Sequence, residues 1–417
     1  MKYSIVTFGC RVNQADSFQI EEQLIACGGT AVSADAADLV VVNTCSVTSS
    51  ADQGTRQIVR KIARDNPSAR IVVTGCYATR RPDEVASLAE TIQIVPNDRK
   101  GRIADEIGLS TSERFGAGDG PCGATIAPGL AGRTAFTLRV QTGCDQTCAY
   151  CIIPTTRGPG RSRPLGEVLA EVDRVREAGY RELAITGVHL GSYGRDLSDG
   201  TTLLRLLTEL ERNAGGMRFR ISSLEPMDCS DEVVDVVAAS ACFAAHFHLP
   251  LQHASNSILV AMRRPYTTEY YSRLVDRIRC DIPHASIGTD IIVGFPGETH
   301  DDFAMLETYL RESPITHVHV FPYSDRPGTA ATALLDKVHG SIVRERASVI
   351  RAIGRELSRR FHDAQIGRVR PGLTIDDGSV VLTDNYLKVH IPPGRVRNEW
   401  VNVLLETTEG SLTGTVL

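Results

Sequence analysis

The sequence predicts an α/β protein built from an N-terminal parallel-sheet domain, a central partial β/α barrel and a small C-terminal β-barrel. Two separate series of apolar strands alternate with helical segments, which is typical of parallel sheets covered by helices. A stretch rich in Gly, Ser, Ala and Pro separates the two series, and short alternating apolar runs follow the second one. A chain of 417 residues is long enough for two or three domains. The predicted divisions are a first domain at 1–107, a linker at 108–133, a barrel with its closing basic helix at 134–362, and a last domain at 363–417.

The first domain is predicted from four apolar strands. Their sequences are KYSIVTFGC, DLVVVNTC, ARIVVTGC and TIQIVP, and segments with helical spacing such as ADSFQIEEQLIACGG separate them. Cys10, Cys45 and Cys76 each stand at the carboxyl end of a strand. Open parallel sheets bind their ligands at that edge, so the three cysteines are expected to converge there. Ordinary buried thiols at strand ends are the alternative.

The barrel is predicted from six further strands separated by helical segments. These strands are TAFTLRVQTG, ELAITGVHLG, RFRISSLEP, AHFHLPLQ, ASIGTDIIVGF and THVHVFPYS. In such barrels the chemistry takes place at the carboxyl ends of the strands. An Arg-rich helical segment follows at 341–362, and the runs GSVVLTDNYLKVHIPP and EWVNVLLETTEGSLTGTVL then predict a small antiparallel β module.

Composition and charge exclude several classes of protein. With 42% hydrophobic and 23% charged residues the chain is typical of globular proteins, and it has no apolar run of about eighteen residues that would span a bilayer. No secretory leader is recognisable in MKYSIVTFGC, so we expect a cytoplasmic protein. A net charge of −5 argues against a generally basic nucleic-acid binder, but eight Arg stand against three acidic residues between Gly340 and Arg370.

Eleven cysteines are many for a reducing compartment, where they indicate metal binding or catalysis more often than disulfides. Three of them, Cys144, Cys148 and Cys151, form the loop CDQTCAYC directly after the first barrel strand. Thiolates at this spacing can ligate three irons of a cubane cluster and leave the fourth iron open. A zinc site or a chance spacing is the alternative, although structural zinc takes four ligands and no fourth is evident nearby.

The CDQTCAYC loop at the start of a β/α barrel resembles the S-adenosylmethionine (SAM) radical enzymes, in which three such cysteines hold the catalytic cluster and the open iron chelates SAM. The resemblance implies that Tyr150 lies near the adenine of SAM. It also implies SAM-binding roles for Gly187, Ser223, Glu225, Arg263 and Gly294. These five residues have plain structural alternatives, because a glycine after a strand is most often a turn and an arginine is most often a surface charge.

The motifs of the first domain resemble one particular family of these enzymes. TFGCRVNQADS, VVNTCSV and VVTGCYA are similar to the signature of the methylthiotransferases, in which three cysteines hold a second 4Fe–4S cluster. Cys10, Cys45 and Cys76 are the ligands that this resemblance implies here. The implied cofactors are two 4Fe–4S clusters and SAM. One SAM methylates a sulfur carried on the second cluster, another supplies the radical that removes hydrogen from a carbon, and the methylthio group is transferred to that carbon.

The resemblance also implies a substrate. The segment VVLTDNYLKVHI is similar to the TRAM module, an RNA-binding β-barrel, and the first motifs look most like the enzymes that act on N6-threonylcarbamoyladenosine beside the tRNA anticodon. We expect Arg157, Arg161 and Arg163 to meet a substrate phosphate or the threonyl carboxylate, because the planar guanidinium suits both. The Arg-rich helix offers further phosphate contacts, or only a solvated face, at Arg351, Arg355, Arg359 and Arg360.

Two other functions stay open from the sequence. One is a methylthiotransferase that acts on another tRNA adenosine or on a ribosomal protein, and the other is an RNA-binding iron–sulfur sensor without catalysis. Two complete cysteine triplets weigh against the sensor, which has no evident need for two open irons. The predicted partners are a tRNA anticodon stem-loop and a low-potential electron donor such as flavodoxin or ferredoxin. No membrane partner is predicted, and we expect a monomer.

Overall fold

A computed structural model contains the parallel sheet, the partial barrel and the small β-barrel that the sequence predicts. The structure describes five stretches of the chain: 1–46, 48–109, 127–128, 134–408 and 410–417. Most of the predicted linker at 108–133, including Cys122, lies outside these described residues. Within them, no helix is both long enough and apolar enough to cross a membrane.

The first domain is a five-stranded, all-parallel sheet in the order β2-β1-β3-β4-β5. The strands are β1 (Lys2–Thr7), β2 (Thr30–Ala31), β3 (Leu39–Thr44), β4 (Arg70–Gly75) and β5 (Ile92–Val95). The helices are α1 (Arg11–Ala26), α2 (Ser49–Asp65), α3 (Cys76–Arg80), α4 (Pro82–Ala86) and α5 (Ile103–Glu106). Successive residues of β3, such as Val40 and Val41, belong to separate cores on the two faces of the sheet. This burial on both faces explains the continuous apolar runs in the sequence.

The central part contains six parallel strands and one short antiparallel strand. The strands are β6 (Phe136–Thr142), β7 (Arg161–Ser162), β8 (Glu182–Gly187), β9 (Arg218–Ile221), β10 (His246–His248), β11 (Ser286–Val293) and β12 (His317–Pro322). They form the sheets β7-β6-β8-β9 and β10-β11-β12. Single bridges from Phe219 to Phe243 and from Ser223 to His248 join the two sheets into a partial barrel.

Helices cover the outside of the partial barrel. They are α6 (Ile153–Arg157), α7 (Leu165–Glu177), α8 (Leu203–Arg212), α9 (Asp231–Ala239), α10 (Asn256–Ala261), α11 (Thr268–Asp281), α12 (His300–Glu312) and α13 (Gly340–Gln365). α8 illustrates the packing, because it buries one stripe at Leu203, Leu206, Leu207 and Leu210. α13 ends at Gln365, three residues beyond the basic helix predicted from the sequence.

The C-terminal part closes into a five-stranded barrel in the order β13-β14-β15-β17-β16. Its strands are β13 (Val369–Ile375), β14 (Val380–Thr383), β15 (Lys388–His390), β16 (Trp400–Thr408) and β17 (Ser411–Val416). The pairing is antiparallel, as predicted, except between β15 and β17. This barrel packs against β9, where the Arg218 guanidinium lies 4.3 Å from the centre of the Trp400 ring. The predicted fold class is therefore confirmed.

Candidate active site between two cysteine triplets

The loop triplet (Cys144, Cys148 and Cys151) lines one cavity of about 530 Å³ at the carboxyl end of β6. Gly143 makes the turn out of the strand with φ +72°, and a Cβ there would lie 1.8 Å from the carbonyl oxygen of Pro159. Only glycine fits this close approach of two backbones. The local sequence thus folds so that all three thiols border the same space.

The spacing of possible ligand atoms bears on the zinc alternative for the cysteine triplets. Tetrahedral zinc with Zn–S bonds of ~2.3 Å holds its thiolates within about 4 Å of one another. Among the described residues, only His248, Asp290 and His319 bring three ligand atoms within 4.8 Å of one another. Neither cysteine triplet meets this limit, so neither has the ligand spacing of a preformed zinc site.

The protonation of the loop triplet depends on what it binds. Burial raises the pKa of Cys151 to about 12. Burial also raises the pKa of Cys148, although the charge of Arg264, whose Nη1 lies 3.1 Å from Sγ, acts in the opposite direction. Cluster ligands are thiolates, so binding of a cationic iron–sulfur core should release protons from this loop.

Arg264 is a functional residue that the sequence analysis missed. Its guanidinium pairs with Glu225, contacts the Cys148 sulfur and donates to Tyr266 Oη at 3.1 Å. Arg263, the predicted residue, lines the cavity beside the loop triplet and has a left-handed backbone at φ +58°. Glu225 therefore lies beside the cysteine loop, as the resemblance implies, and two adjacent arginines both face this site.

The other predicted SAM-binding residues lie at or just beyond the carboxyl ends of barrel strands. Gly187 ends β8, and a Cβ there would stand 3.1 Å from Gln141. Gly294 follows β11 with φ +76°, and its N–H donates to the Glu298 carboxylate. Ser223 forms the bridge to β10. Each has a packing role in addition to its position, and its contact with SAM stays a prediction.

His189 also lies at this site, and no pattern in the sequence predicted its role. Its Nε2 lies 2.7 Å from the carboxylate of Asp228, and the ring hydrogen-bonds the Cys144 thiol. Burial favours the neutral ring, but the hydrogen bonds to Asp228 and Cys144 outweigh it and raise the pKa of His189 to about 9. His189 therefore places a cationic donor against a ligand of the loop triplet.

The N-terminal triplet (Cys10, Cys45 and Cys76) follows three adjacent parallel strands, β1, β3 and β4. Gly9 brings the first two cysteines together, because it has φ +93° and a Cβ there would lie 2.4 Å from both Cβ and Sγ of Cys45. Parallel strands end at one edge of the sheet, which explains why residues so far apart in sequence meet. The structure places this triplet where the sequence predicts it.

A buried lysine stands among the thiols of the N-terminal triplet. The Lys100 side chain is 5% exposed, and its ammonium donates to Asp16 at 2.9 Å and to Asn43 at 3.0 Å. Burial lowers the pKa of Lys100 to about 7, whereas the charges of all three thiols act to raise it. All three thiols thus lie within electrostatic reach of one ammonium group. Positive charge beside a thiol favours the thiolate, the form that binds metal.

Arg157, which the sequence analysis expects to meet the substrate, is enclosed by the first domain. Its guanidinium is buried and donates to Asn13 and, at 3.0 Å, to Asp16. Although burial acts to raise the pKa of the Cys76 thiol, the charges of Arg157 and Lys100 outweigh it and lower that pKa. Arg157 therefore belongs to the surroundings of the N-terminal triplet.

The other two predicted substrate arginines are less enclosed. Arg161 is exposed on β7, and Arg163 is half-buried with Nε 4.0 Å from Glu167. Both sit at the outer edge of the barrel next to β6. Their contact with substrate stays a prediction.

The elements that carry the two triplets contact each other at the boundary between the first domain and the barrel. Asn97 bridges these elements, because its Nδ2 lies 3.7 Å from the Cys76 sulfur and donates to the Thr156 carbonyl at 2.9 Å. Thr156 belongs to α6, which begins two residues after Cys151 and packs against α3, the helix that begins at Cys76. The helix that follows the loop triplet therefore contacts the helix that begins at Cys76 of the N-terminal triplet.

A smaller cavity of about 160 Å³ lies at the same boundary. It is lined by Thr48 from the first domain, by Tyr150 from the cysteine loop and by Asp290 from β11. A buried ion pair closes one side, where Arg326 donates to Asp52 at 2.8 Å. This cavity is therefore bordered by the segment that follows Cys45 and by the residue that precedes Cys151.

Gly9→Ala should disrupt the N-terminal triplet and leave the loop triplet intact. The added Cβ meets Cys45 at 2.4 Å, and φ +93° disfavours any residue with a side chain. After anaerobic reconstitution, iron should fall from about eight to about four atoms per chain. Gly28→Ala is the matched control, since φ is +77° and its Cβ would meet nothing within 4 Å. Equal iron in the two variants would contradict the account.

Comparison with known proteins agrees with the fold and identifies the class of enzyme. The profile described as Radical SAM superfamily matches residues 138–310, and the profile described as Uncharacterized protein family UPF0004 matches residues 2–96. The structure resembles that of the radical S-adenosylmethionine methyltransferase TsrM from Kitasatospora setae, with TM-score 0.54 at 15% identity over 76% of this chain and 72% of that chain. At this identity the likeness shows the fold alone. Fold, loop and profile together define a radical SAM enzyme.

Full-length relatives identify the family. The Threonylcarbamoyladenosine tRNA methylthiotransferase MtaB of Aquifex aeolicus is 36% identical over 93% of this chain and 96% of its own length. The tRNA-2-methylthio-N(6)-dimethylallyladenosine synthase of Acidothermus cellulolyticus is 32% identical over 88% of this chain and 76% of its own length. This chain belongs to the radical SAM methylthiotransferase family. Its cofactors are accordingly SAM and 4Fe–4S clusters.

Proposed function

We propose that this enzyme converts N6-threonylcarbamoyladenosine beside the tRNA anticodon into its 2-methylthio derivative. The observation that carries the proposal is the contact between α3, which begins at Cys76, and α6, which follows the loop triplet, with Asn97 bridging the two. The choice of substrate is supported by five relatives named threonylcarbamoyladenosine tRNA methylthiotransferases, which are 32–36% identical to this chain.

In this proposal each triplet holds one 4Fe–4S cluster. When bound, SAM and the clusters supply the methyl group, the sulfur and the radical chemistry. The residues of the chain hold the cofactors and the base in position and keep them away from solvent. Arg264 and Glu225 fix the side of the cavity next to Cys148, and the buried Asp52–Arg326 pair holds the first domain against the barrel. Such fixed geometry is the main contribution that a protein can make to a reaction between bound cofactors and a base.

The proposal is tested with reduced, anaerobically reconstituted enzyme and anticodon stem-loops. One stem-loop carries threonylcarbamoyladenosine, a second carries unmodified adenosine and a third carries dimethylallyladenosine. Mass spectrometry should detect the 2-methylthio product on the first alone, together with 5′-deoxyadenosine from SAM. A product on the third alone would overturn the substrate. The absence of any 5′-deoxyadenosine would favour the non-catalytic sensor.

The basic helix α13 offers a surface for the tRNA backbone. Arg351, Arg355 and Arg359 are exposed at a spacing of four residues, so they form one stripe. They line a cleft of about 540 Å³ together with residues of the C-terminal barrel. Arg360 is different, because it donates to carbonyl groups including that of Ser313 at 2.7 Å and so supports packing. The stripe is therefore the part of the helix best placed for phosphates.

Replacing the stripe residues Arg351, Arg355 and Arg359 together with glutamine should weaken tRNA binding and reduce its salt dependence. Each lost phosphate contact removes about 0.7–0.9 from the slope of log affinity against log salt, so the triple variant should lose about 2–3 from that slope. Arg277→Gln is the matched control, since Arg277 pairs with acidic residues on the outside of the barrel. Titrations at several salt concentrations provide the measurement, and an unchanged slope would rule out this surface.

The proposal also includes an electron donor, a cellular location and an oligomeric state. A low-potential donor such as flavodoxin or ferredoxin delivers the electrons, and the enzyme works in the cytoplasm as a monomer. The choice of donor is tested by comparing product yields with each reduced donor in place of a chemical reductant. Light scattering of the reconstituted enzyme tests the monomeric state.

A further inference from the structure

A guanidinium without an acidic partner lies next to the N-terminal triplet. Arg11 directly follows Cys10, and its side chain donates to Tyr386 Oη at 2.7 Å and to Ser222 Oγ at 3.4 Å. Among the residues that the structure describes, Arg11 has no carboxylate partner. Two neutral hydroxyl groups leave its positive charge uncompensated and further N–H donors in the fork unused. Such a group is suited to an anion.

A histidine cluster lies beside the segment that Arg11 contacts, because Ser223, the residue after Ser222, is bridged to His248. Asp290 Oδ1 is 3.0 Å from His248 Nε2 and 3.3 Å from His319 Nδ1, across the strands β10, β11 and β12. The hydrogen bond to Asp290 raises the pKa of His319, while the charge of Arg11 lowers it. The His319 side chain is 59% exposed, and its Nε2 has no hydrogen-bond partner within the described part of the chain. His319 thus turns its Nδ1 edge to Asp290 and its Nε2 edge away from it, and Nε2 is an N–H donor when the ring is protonated.

Asp290 links the histidine cluster to the cavity of about 160 Å³, which it lines together with Tyr150 of the cysteine loop. Arg11 directly follows Cys10 of the N-terminal triplet, and its guanidinium lies 5.5 Å from the centre of the Tyr386 ring. The centre of that ring is 4.4 Å from the centre of the His246 ring, on the same strand as His248. Arg11 therefore adjoins the N-terminal triplet, and His319 is held by the carboxylate that borders the cavity.

We propose that Arg11 and His319 bind the carboxylate of the threonyl group on the substrate base. This inference rests on the proposed function and assigns the residues that recognise the threonyl group of the substrate. A carboxylate accepts hydrogen bonds from a guanidinium and an imidazolium together, and such charged bonds are stronger than neutral ones. Unmodified adenosine and dimethylallyladenosine carry no anion, so these contacts discriminate against both. Asp290 is a positioning residue that orients His319.

A divalent metal ion is the competing occupant of the histidine cluster. The ligand atoms of His248, Asp290 and His319 lie within 4.8 Å of one another, as in two-histidine, one-carboxylate metal sites. The unpaired charge of Arg11 repels a cation and attracts an anion. The observations therefore favour the carboxylate.

The test compares two stem-loops that differ in the charge of the threonyl group. One carries threonylcarbamoyladenosine, and the other carries its methyl ester, which removes the negative charge and adds one methyl group. For the unaltered enzyme, kcat/KM should be about tenfold to a hundredfold higher on the acid than on the ester. Arg11→Gln and His319→Gln should each lower kcat/KM on the acid and leave the value on the ester nearly unchanged. Arg11→Lys should retain part of the preference.

Two controls separate the possible outcomes. Iron content is measured for every variant, because Arg11 adjoins Cys10, and if Arg11→Gln loses iron then His319→Gln decides the question. Equal losses on acid and ester would overturn this inference while leaving the proposed function in place. A stoichiometric divalent metal that disappears in His319→Gln would overturn it in favour of a metal site. Failure of the unaltered enzyme to modify either stem-loop would overturn the proposed function itself, and this inference with it.

Discussion

Cys148→Ala should reduce SAM cleavage to background and abolish every methylthio product. The loop triplet offers three thiols to one cavity, and Cys148 is the one that Arg264 holds by a contact of 3.1 Å. Removing one of three protein ligands leaves the cluster without stable attachment, so iron should fall from about eight to about four atoms per chain. The measurements are iron content and 5′-deoxyadenosine after reduction with SAM present.

Cys242→Ala is the matched control for this prediction. Cys242 is a half-buried thiol that contacts the Ser240 hydroxyl at 3.2 Å, in a loop of the barrel away from both triplets. Its replacement should leave iron content and SAM cleavage unchanged. If Cys148→Ala retained full SAM cleavage, the assignment of the loop triplet would be wrong.

Asp16→Ala should produce the largest loss of stability outside the cysteines. The Asp16 carboxylate is 1% exposed and accepts hydrogen bonds from Lys100 at 2.9 Å, from Arg157 at 3.0 Å and from Arg139. Its removal leaves buried cationic groups without an acid. Breaking a buried ion pair in this way costs about 3–5 kcal/mol of the free energy of unfolding. Urea titration of the reconstituted enzyme provides the measurement.

Asp16 also joins the two domains, because Lys100 comes from the first domain and Arg139 and Arg157 come from the barrel. We therefore expect the Asp16 variant to form less methylthio product for each 5′-deoxyadenosine. Asp173→Ala is the control, since its ion pair with Arg176 is exposed and such pairs contribute about 0–1 kcal/mol. Similar losses of stability in the two variants would show that the buried network has no special role.

The positions of the six cysteines in the two triplets could be predicted from the sequence because local rules determine them. Cys45 and Cys76 end apolar strands of a parallel sheet, and such strands end at one edge. Cys144, Cys148 and Cys151 share one loop, so their proximity follows from spacing alone. In both cases the order of strands and residues along the chain is enough to predict where the cysteines lie.

The charged surroundings of the cysteines could not be predicted in this way. Lys100 stands in the polar run PNDRKGR, where a lysine is normally exposed, and its burial depends on Asp16 from a distant helix. Arg157 seemed free for substrate, yet the packing of α6 on α3 buries it against the same carboxylate. Arg263 and Arg264 differ by one position, and only the folded turn determines which of them contacts Glu225. These roles are set by tertiary contacts that leave no periodic pattern in the sequence.

The measurement that tests the account most directly is product analysis of Cys45→Ala on the threonylcarbamoyladenosine stem-loop. Cys45 is buried at the end of β3 and belongs only to the N-terminal triplet. If the two triplets hold separate clusters with separate tasks, this variant should still form 5′-deoxyadenosine and should form no 2-methylthio product. Continued methylthio transfer, or the loss of both products at full iron content of the loop site, would contradict that division.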